Sequence, residues 1–272
     1  MRIGVFLTFS MMLLSVGCGS GQPFVTEHRL EKGLVIVLSG IEGRGPLNEA
    51  ICRGLDTGGV DLAIENWEWA TRMGLVINQR SQQRNRQLSY DLADRVMRYK
   101  MQYPGNPVYL VGQSGGGAMA AWAAEAMPPD TPVDGVVMLA PSLSPEYMLD
   151  RALANVEQGI VNFHSSGDWM LLGLGTTIAG TMDGKHTASA GKSGFDVPDH
   201  GTRRRLYRKL YQIGWTREMT RTGHSGGHMS SSASGFVAGY IAPLIRADSW
   251  SPELIEQVRA GRGDQYTRLT VP

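Results

Sequence analysis

The stretch that decides the fold is VYLVGQSGGGAMAAWAAEAM, Val108 to Met127. It opens with VYLVG, a run of mainly β-branched and aromatic residues that favours a strand. Ser114 follows with three glycines directly after it, and an alanine-rich segment typical of a helix comes next. The stretch therefore predicts a strand and a helix joined by a very tight corner that carries a hydroxyl group.

Gly112 to Gly116 fits the pattern G-x-S-x-G. The serine of such a corner takes a strained backbone conformation, so the residues two positions away on either side must lack bulk. The N-terminus of the following helix directs N–H groups and a partial positive charge to the place where an oxyanion forms in acyl transfer. Ser114 is therefore predicted to be a nucleophile, and the alternative is a glycine turn that contains a serine by chance.

A serine nucleophile needs a base, and the base needs an acid that orients it. Asp168 ends the strand-like segment GIVNFHSSGD and is the predicted acid, with Asp183 in GTMDGKH as the rival. The segment GHSGGHM offers two bases. His228 is favoured because it closes a Gly-Gly loop that could lean over the corner, and His224 is the alternative.

A second oxyanion donor is expected in the loop LSGIEGRG, which follows the first clear strand. The small residues Ser39 and Gly40 allow the backbone to approach closely. The N–H group of Ile41 is therefore predicted to lie beside that of Gly115.

Short apolar strands alternate with helices along the rest of the chain, which favours parallel βαβ units with both sheet faces covered. Strands are predicted at 34–40, 60–67, 108–112, 135–142 and 159–164, helices at 49–55, 88–103, 115–127 and 145–156, and a helix with a last strand at 206–215. The segment 173–199 breaks this alternation. It is rich in Gly, Ser, Thr and Ala, and a loop of that length predicts a lid-like insertion.

The first 22 residues are not expected to belong to the fold. An apolar run, Ile3 to Val16, has the length of a signal-peptide core and ends in SVGC. Small residues before Cys18 resemble the bacterial lipoprotein signal, although Ser15 stands where that signal usually has leucine. The leader predicts export to the periplasm or cell envelope, with lipid attachment and membrane anchoring at Cys18 or simple cleavage nearby as the alternatives. Residues 23–272 are predicted to form one domain.

Composition limits the classes of function. The 272 residues are 42% hydrophobic and 19% charged, which is typical of a globular protein. The net charge of +1 provides no field for binding nucleic acid, so no nucleic-acid partner is expected. Cys18 and Cys52 are the only cysteines, so no internal disulfide can form if Cys18 is lipidated or removed.

With Ser114, Asp168 and His228 in this order, the chain resembles the α/β-hydrolase superfamily between about residues 33 and 246. The resemblance implies an eight-stranded, mostly parallel sheet with helices on both faces. It also implies a serine hydrolase of the esterase or lipase type, acting on a small ester or acyl substrate without a metal or organic cofactor. One departure is Ser39-Gly40, where many members have His-Gly.

Three other interpretations compete with this one. A nucleotide-binding fold is disfavoured because GIEGRG is not G-x-G-x-x-G and GQSGGG lacks the lysine of a P-loop. The second is a surface lipoprotein of the same fold that binds a ligand or partner without catalysis. The third keeps the triad in an acyltransferase or a peptidase.

Overall fold

The computed structural model describes residues 22–71, 74–168 and 180–265. The predicted leader, except Gln22, and residues 173–179 of the predicted insertion lie outside the described residues, as does Cys18. Among the helices of the described ranges, none has both the length and the apolar character needed to cross a membrane.

Six strands form one sheet in the order β2-β1-β3-β4-β5-β6, and every neighbouring pair is parallel. Their bounds are β1 Leu34–Leu38, β2 Ala63–Trp67, β3 Val108–Gln113, β4 Val133–Leu139, β5 Val156–His164 and β6 Leu210–Gly214. The chain runs outwards from β1 to β2 and then returns past β1 to β3. This reversal opens a crevice at the carboxyl ends of β1 and β3, where ligands bind in open parallel sheets.

Helices cover the sheet on both sides. Their bounds are α1 Glu27–Leu30, α2 Pro46–Thr57, α3 Leu75–Arg80, α4 Gln82–Gln102, α5 Gly115–Ala126, α6 Asp150–Ala154, α7 Ala190–Ser193, α8 Gly201–Leu206, α9 Ser234–Phe236, α10 Ala242–Arg246 and α11 Pro252–Arg259. Short 3₁₀ segments occupy Tyr207–Lys209, Arg217–Thr222 and Met229–Ser232, and a π-helical turn, Val237–Ile241, joins α9 to α10.

The core has two parts, one on each face of the sheet. All five residues of β1 are fully buried and alternate between the two parts, as they must in a strand covered on both sides. Helix α5 lies against the sheet and against α4, and its residues 115–124 are all buried. Its alanines and glycines allow this close approach, so the helix can start directly at the end of β3.

The predicted α/β-hydrolase fold, with a mostly parallel sheet and helices on both faces, is confirmed in its architecture. The described sheet has six strands where the resemblance implied eight. The predicted helix at 145–156 was too long. Only Asp150–Ala154 is helical, because Val156 already pairs with Val133 as the start of β5.

Residues 180–199 belong to the predicted insertion, and they are bonded to the loop that follows β4. Met182 donates its N–H to the Ser142 carbonyl (2.8 Å), and Ala190 donates to the Leu143 carbonyl (2.7 Å). Gly191 lies so close to the backbone of Ala140 that a side chain there would collide with it. This part of the chain therefore packs on the carboxyl edge of the sheet.

Candidate active site

Ser114 stands at the corner between β3 and α5 with φ 54° and ψ −119°. A non-glycine residue in this region costs about 1–3 kcal/mol and persists only where its surroundings fix it. A Cβ atom on Gly112 would collide with the carbonyl oxygen of Gly116, and one on Gly116 would collide with that of Leu38. The two glycines of the motif are therefore required by the close contact of β1, β3 and α5.

Backbone hydrogen bonds hold the corner in place. The N–H of Ser114 donates to the carbonyl of Leu139 at the end of β4 (2.9 Å). The Ser114 carbonyl accepts from the N–H groups of Gly117 and Ser142, both at 3.0 Å. Neighbouring strands and the loop after β4 thus fix the strained serine in one conformation at the crevice.

The predicted acid and the favoured base are in contact. Nδ1 of His228 lies 2.8 Å from Oδ1 of Asp168, and both residues are buried. Asp168 is held in a turn after β5 by its N–H, which donates to Ser165, and His228 is held by Ser231, whose hydroxyl donates to the His228 carbonyl. Because Nδ1 is bonded to the carboxylate, proton transfer with a substrate would use Nε2.

The alternative base, His224, has a different set of contacts. Its Nδ1 lies 2.9 Å from the hydroxyl of Ser230, and its ring packs on Phe236 with the centroids 4.6 Å apart. Burial lowers the pKa of His224 to about 4, against the opposing charge of Asp168. These contacts are those of a neutral histidine within the core.

The alternative acid, Asp183, is bonded to the loop after β4. Its carboxylate accepts from the N–H of Ser144 (2.9 Å) and from the hydroxyl of the same residue (2.6 Å). Asp183 therefore ties the described part of the insertion to this loop, while Asp168 is the acid that contacts a histidine.

The two predicted oxyanion donors belong to residues that lie side by side. A Cβ atom on Gly115 would stand 2.9 Å from Cγ2 of Ile41 and 3.1 Å from Cζ2 of Trp69. The loop after β1 is held by Nε1 of Trp69, which donates to the Ser39 carbonyl, and by Nδ2 of Asn78, which donates to the Ile41 carbonyl (both 2.8 Å). Trp69 and Asn78 are positioning residues that the sequence patterns did not single out.

Two further residues of the site were also missed, Glu42 and Gln113. Both side chains lie on the face of Gly40 where a Cβ atom would be, so any side chain at Gly40 would collide with them. Burial raises the pKa of the Glu42 carboxyl. A signal was available in the sequence, since Glu42 follows the predicted donor Ile41 and Gln113 precedes Ser114.

No model of a known protein family matches the sequence, and no curated protein matches it. Among solved structures, lipase B of Aspergillus fumigatus is similar with a TM-score of 0.50 and 11% identity, over 89% of this chain and 62% of that chain. A poly(3-hydroxybutyrate) depolymerase, LpqC of Bordetella parapertussis, has a TM-score of 0.46 and 13% identity, over 84% of this chain and 83% of that chain.

The chain thus spans less than two thirds of the length of lipase B. At this level of identity the likeness concerns the course of the backbone. Together with the all-parallel sheet and the strained serine between β3 and α5, it shows that the chain has an α/β-hydrolase fold.

Proposed function

We propose that the protein is a serine hydrolase that cleaves carboxylic esters through an acyl-enzyme intermediate. The observation that carries the proposal is the strained Ser114 at the crevice together with the 2.8 Å contact between His228 and Asp168. The chain carries the proposed nucleophile, acid and base in the order that α/β-hydrolases use. Lipase B, the solved structure with a TM-score of 0.50, is a lipase by name, which supports ester chemistry.

In this mechanism, Nε2 of His228 takes the proton of the Ser114 hydroxyl while the oxygen attacks the ester carbonyl. Asp168 fixes the tautomer of the ring and stabilises its cation. The N–H groups of Gly115 and Ile41 hold the oxyanion, and a donor of this kind typically contributes about 3 kcal/mol to transition-state stabilisation. His228 then protonates the leaving alcohol. Water, activated by His228 in the same way, attacks the acyl-enzyme, which releases the acid and restores Ser114.

The test is covalent labelling with a fluorophosphonate probe, which reacts with activated serines. We expect the native protein to be labelled, the Ser114→Ala variant to remain unlabelled with unchanged circular dichroism, and short acyl esters to be hydrolysed by the native protein alone. A folded native protein that takes no label would support the competing proposal, a binding protein of the same fold. Amide hydrolysis or transfer to an acceptor alcohol without net hydrolysis would indicate a peptidase or an acyltransferase.

The cellular location of the protein is inferred from its leader. The leader resembles a lipoprotein signal around Cys18, so we propose export and anchoring through a lipid on this residue. Expression in a bacterium with radiolabelled palmitate should label the membrane-bound native protein, whereas Cys18→Ser should remain unlabelled. Release of unlabelled native protein into the periplasm would support simple cleavage.

A further inference from the structure

The loop after β1 carries a carboxylate beside the proposed oxyanion donors. Glu42 Oε1 and Gln113 Oε1 each lie 2.8 Å from the place of a Cβ atom on Gly40. Glu42 follows Ile41 directly in the chain, and Gln113 directly precedes Ser114. One acidic and one amide side chain therefore lie together on one side of Gly40, within one residue of the proposed nucleophile and of a proposed oxyanion donor.

Within the described part of the chain, the Gln113 side chain has no hydrogen-bond partner and Glu42 has no cationic partner. Gln113 is only 1% exposed, yet its Nε2 and Oε1 atoms both lack a hydrogen-bond partner there. Glu42 takes part in none of the ion pairs found among those residues. Buried polar groups are nearly always hydrogen-bonded, so the unpaired Gln113 amide, next to a carboxylate that has no cationic partner, indicates that a ligand or solvent supplies the missing partner.

The surroundings of Glu42 favour a positively charged partner. Desolvation raises the pKa of its carboxyl, and the charge of Glu68 adds to the rise. The backbone N–H groups of Glu42 and Gly40 and the positive charge of His228 oppose it. The side chain nevertheless remains exposed to solvent, so a ligand can reach the carboxylate. A cation bound to the Glu42 carboxylate would compensate for the hydration that desolvation removes from it, and would offset the repulsion from the Glu68 carboxylate.

We propose that Glu42 and Gln113 form a subsite for a protonated amine on the leaving-group half of the substrate. In the proposed mechanism, His228 gives its proton to the leaving atom, and its charge acts on Glu42. A substituent that reaches Glu42 therefore belongs to the alcohol or thiol half of the ester. The N–H of the ammonium group would donate to the Glu42 carboxylate or to Oε1 of Gln113. This inference rests on the proposed hydrolase function and names the substrate class.

Two isosteric thioesters test the subsite. The 2-(dimethylammonio)ethyl and 3-methylbutyl thioesters of butyrate have the same shape and differ in charge, and both release a thiol that a disulfide reagent detects. We expect the native protein to prefer the cationic thioester by about tenfold or more in kcat/KM. The Glu42→Gln variant keeps the shape of the side chain without its charge and should reduce the preference to about one.

Glu68→Gln is the matched control. Glu68 is a nearby carboxylate that accepts the N–H groups of Arg44 and Ala70, and this variant should keep most of the preference. A native ratio near one, an unchanged ratio in Glu42→Gln, or equal acceleration of both thioesters by Glu42→Gln would overturn the subsite. The last result would mean that Glu42 only obstructs the loop.

Binding without turnover separates the subsite from the reaction. In the Ser114→Ala background, calorimetry should show tighter binding of the cationic thioester, and Glu42→Gln added to that background should abolish the difference. Equal affinity for the two thioesters in Ser114→Ala would overturn the subsite whatever the activity. A retained preference in binding, with no labelling of the native Ser114, would refute the hydrolase proposal and support the subsite.

Discussion

Oδ1 of Asp168 lies 2.8 Å from Nδ1 of His228, and both side chains are buried at the carboxyl edge of the sheet. Each comes from a different loop, Asp168 from the turn after β5 and His228 from the loop after the 3₁₀ segment Arg217–Thr222. A carboxylate bonded to Nδ1 sets the tautomer and leaves Nε2 for proton transfer.

Replacing Asp168 with asparagine should lower kcat by about 10⁴-fold, because the amide favours the wrong tautomer of the imidazole while it keeps the shape of the side chain. Asp183→Asn is the control, since Asp183 is bonded to Ser144 and not to a histidine. Steady-state hydrolysis of a chromogenic ester measures both variants. A large loss of kcat in Asp183→Asn with little change in Asp168→Asn would reassign the acid.

His224 should make stability depend on pH. Its pKa is about 4 in the folded protein, whereas an exposed histidine titrates near 6.5. As pH falls below about 6.5, His224 binds a proton in the unfolded chain but not in the folded chain. The contribution of His224 to the free energy of unfolding is therefore fully present above that pH and declines down to about pH 4. The free energy of unfolding falls by at most about 3 kcal/mol over this range.

The His224→Asn variant tests this linkage, because asparagine can still bond Ser230 but does not titrate. Urea unfolding at several pH values between 4 and 8 should give a flatter profile for the variant than for the native protein, with hydrolysis at pH 8 retained. The same slope in both proteins would show that His224 is not the group responsible. Loss of hydrolysis in the variant would count against His228 as the base.

Gly116→Ala should destabilise the fold by about 3 kcal/mol or more, since the added Cβ would stand 2.5 Å from the Ser39 carbonyl oxygen in a backbone contact that cannot relax cheaply. Gly239→Ala is the matched control. Its Cβ would meet Thr222 at 3.7 Å, so the gain in helix propensity should leave stability equal or slightly higher. The urea concentration at the midpoint of unfolding measures the stability of each variant. Similar midpoints for the two variants would contradict the packing argument.

The strand and corner around Ser114 could be predicted because each glycine there meets a steric requirement that few other residues satisfy. The helical structure of residues 78–87, which belong to the end of α3 and the start of α4, could not be predicted. Asn78, Gln79 and Asn85 are buried there and bond backbone carbonyls, including those of Ile41 and Gly180. Helical patterns count buried apolar residues, so buried amides look like solvent-exposed positions. Glu42 and Gln113 were missed for another reason: each adjoins a predicted site residue, but their proximity to each other arises only from contacts across Gly40 in the folded chain.

The difference between the eight strands that the resemblance implied and the six found among the described residues has a different origin. The figure of eight came from the resemblance to a superfamily, while the residues themselves supported about six. Residues 22–33, which precede β1 in the described chain, contain the short helix α1 and no strand. The candidate site is positioned by β1, β3, β4, β5, β6 and the loops that follow them, so it does not depend on the two further strands that the resemblance implied.

Trp69→Phe should lower kcat/KM by about tenfold, because it removes the donor that holds the Ser39 carbonyl and so loosens the loop that carries Ile41. Trp122→Phe is the control for lost volume. Trp122 is equally buried, on α5, and its Nε1 has no partner among the described residues. Both variants should lose a similar free energy of unfolding, about 1–3 kcal/mol, since each leaves a cavity. Ester hydrolysis at saturating and at limiting substrate gives kcat and kcat/KM, and urea unfolding gives the stability of each variant. Together they separate the loss of positioning from the loss of packing. Equal losses of kcat/KM in both variants would mean that the Trp69 hydrogen bond does not position the loop.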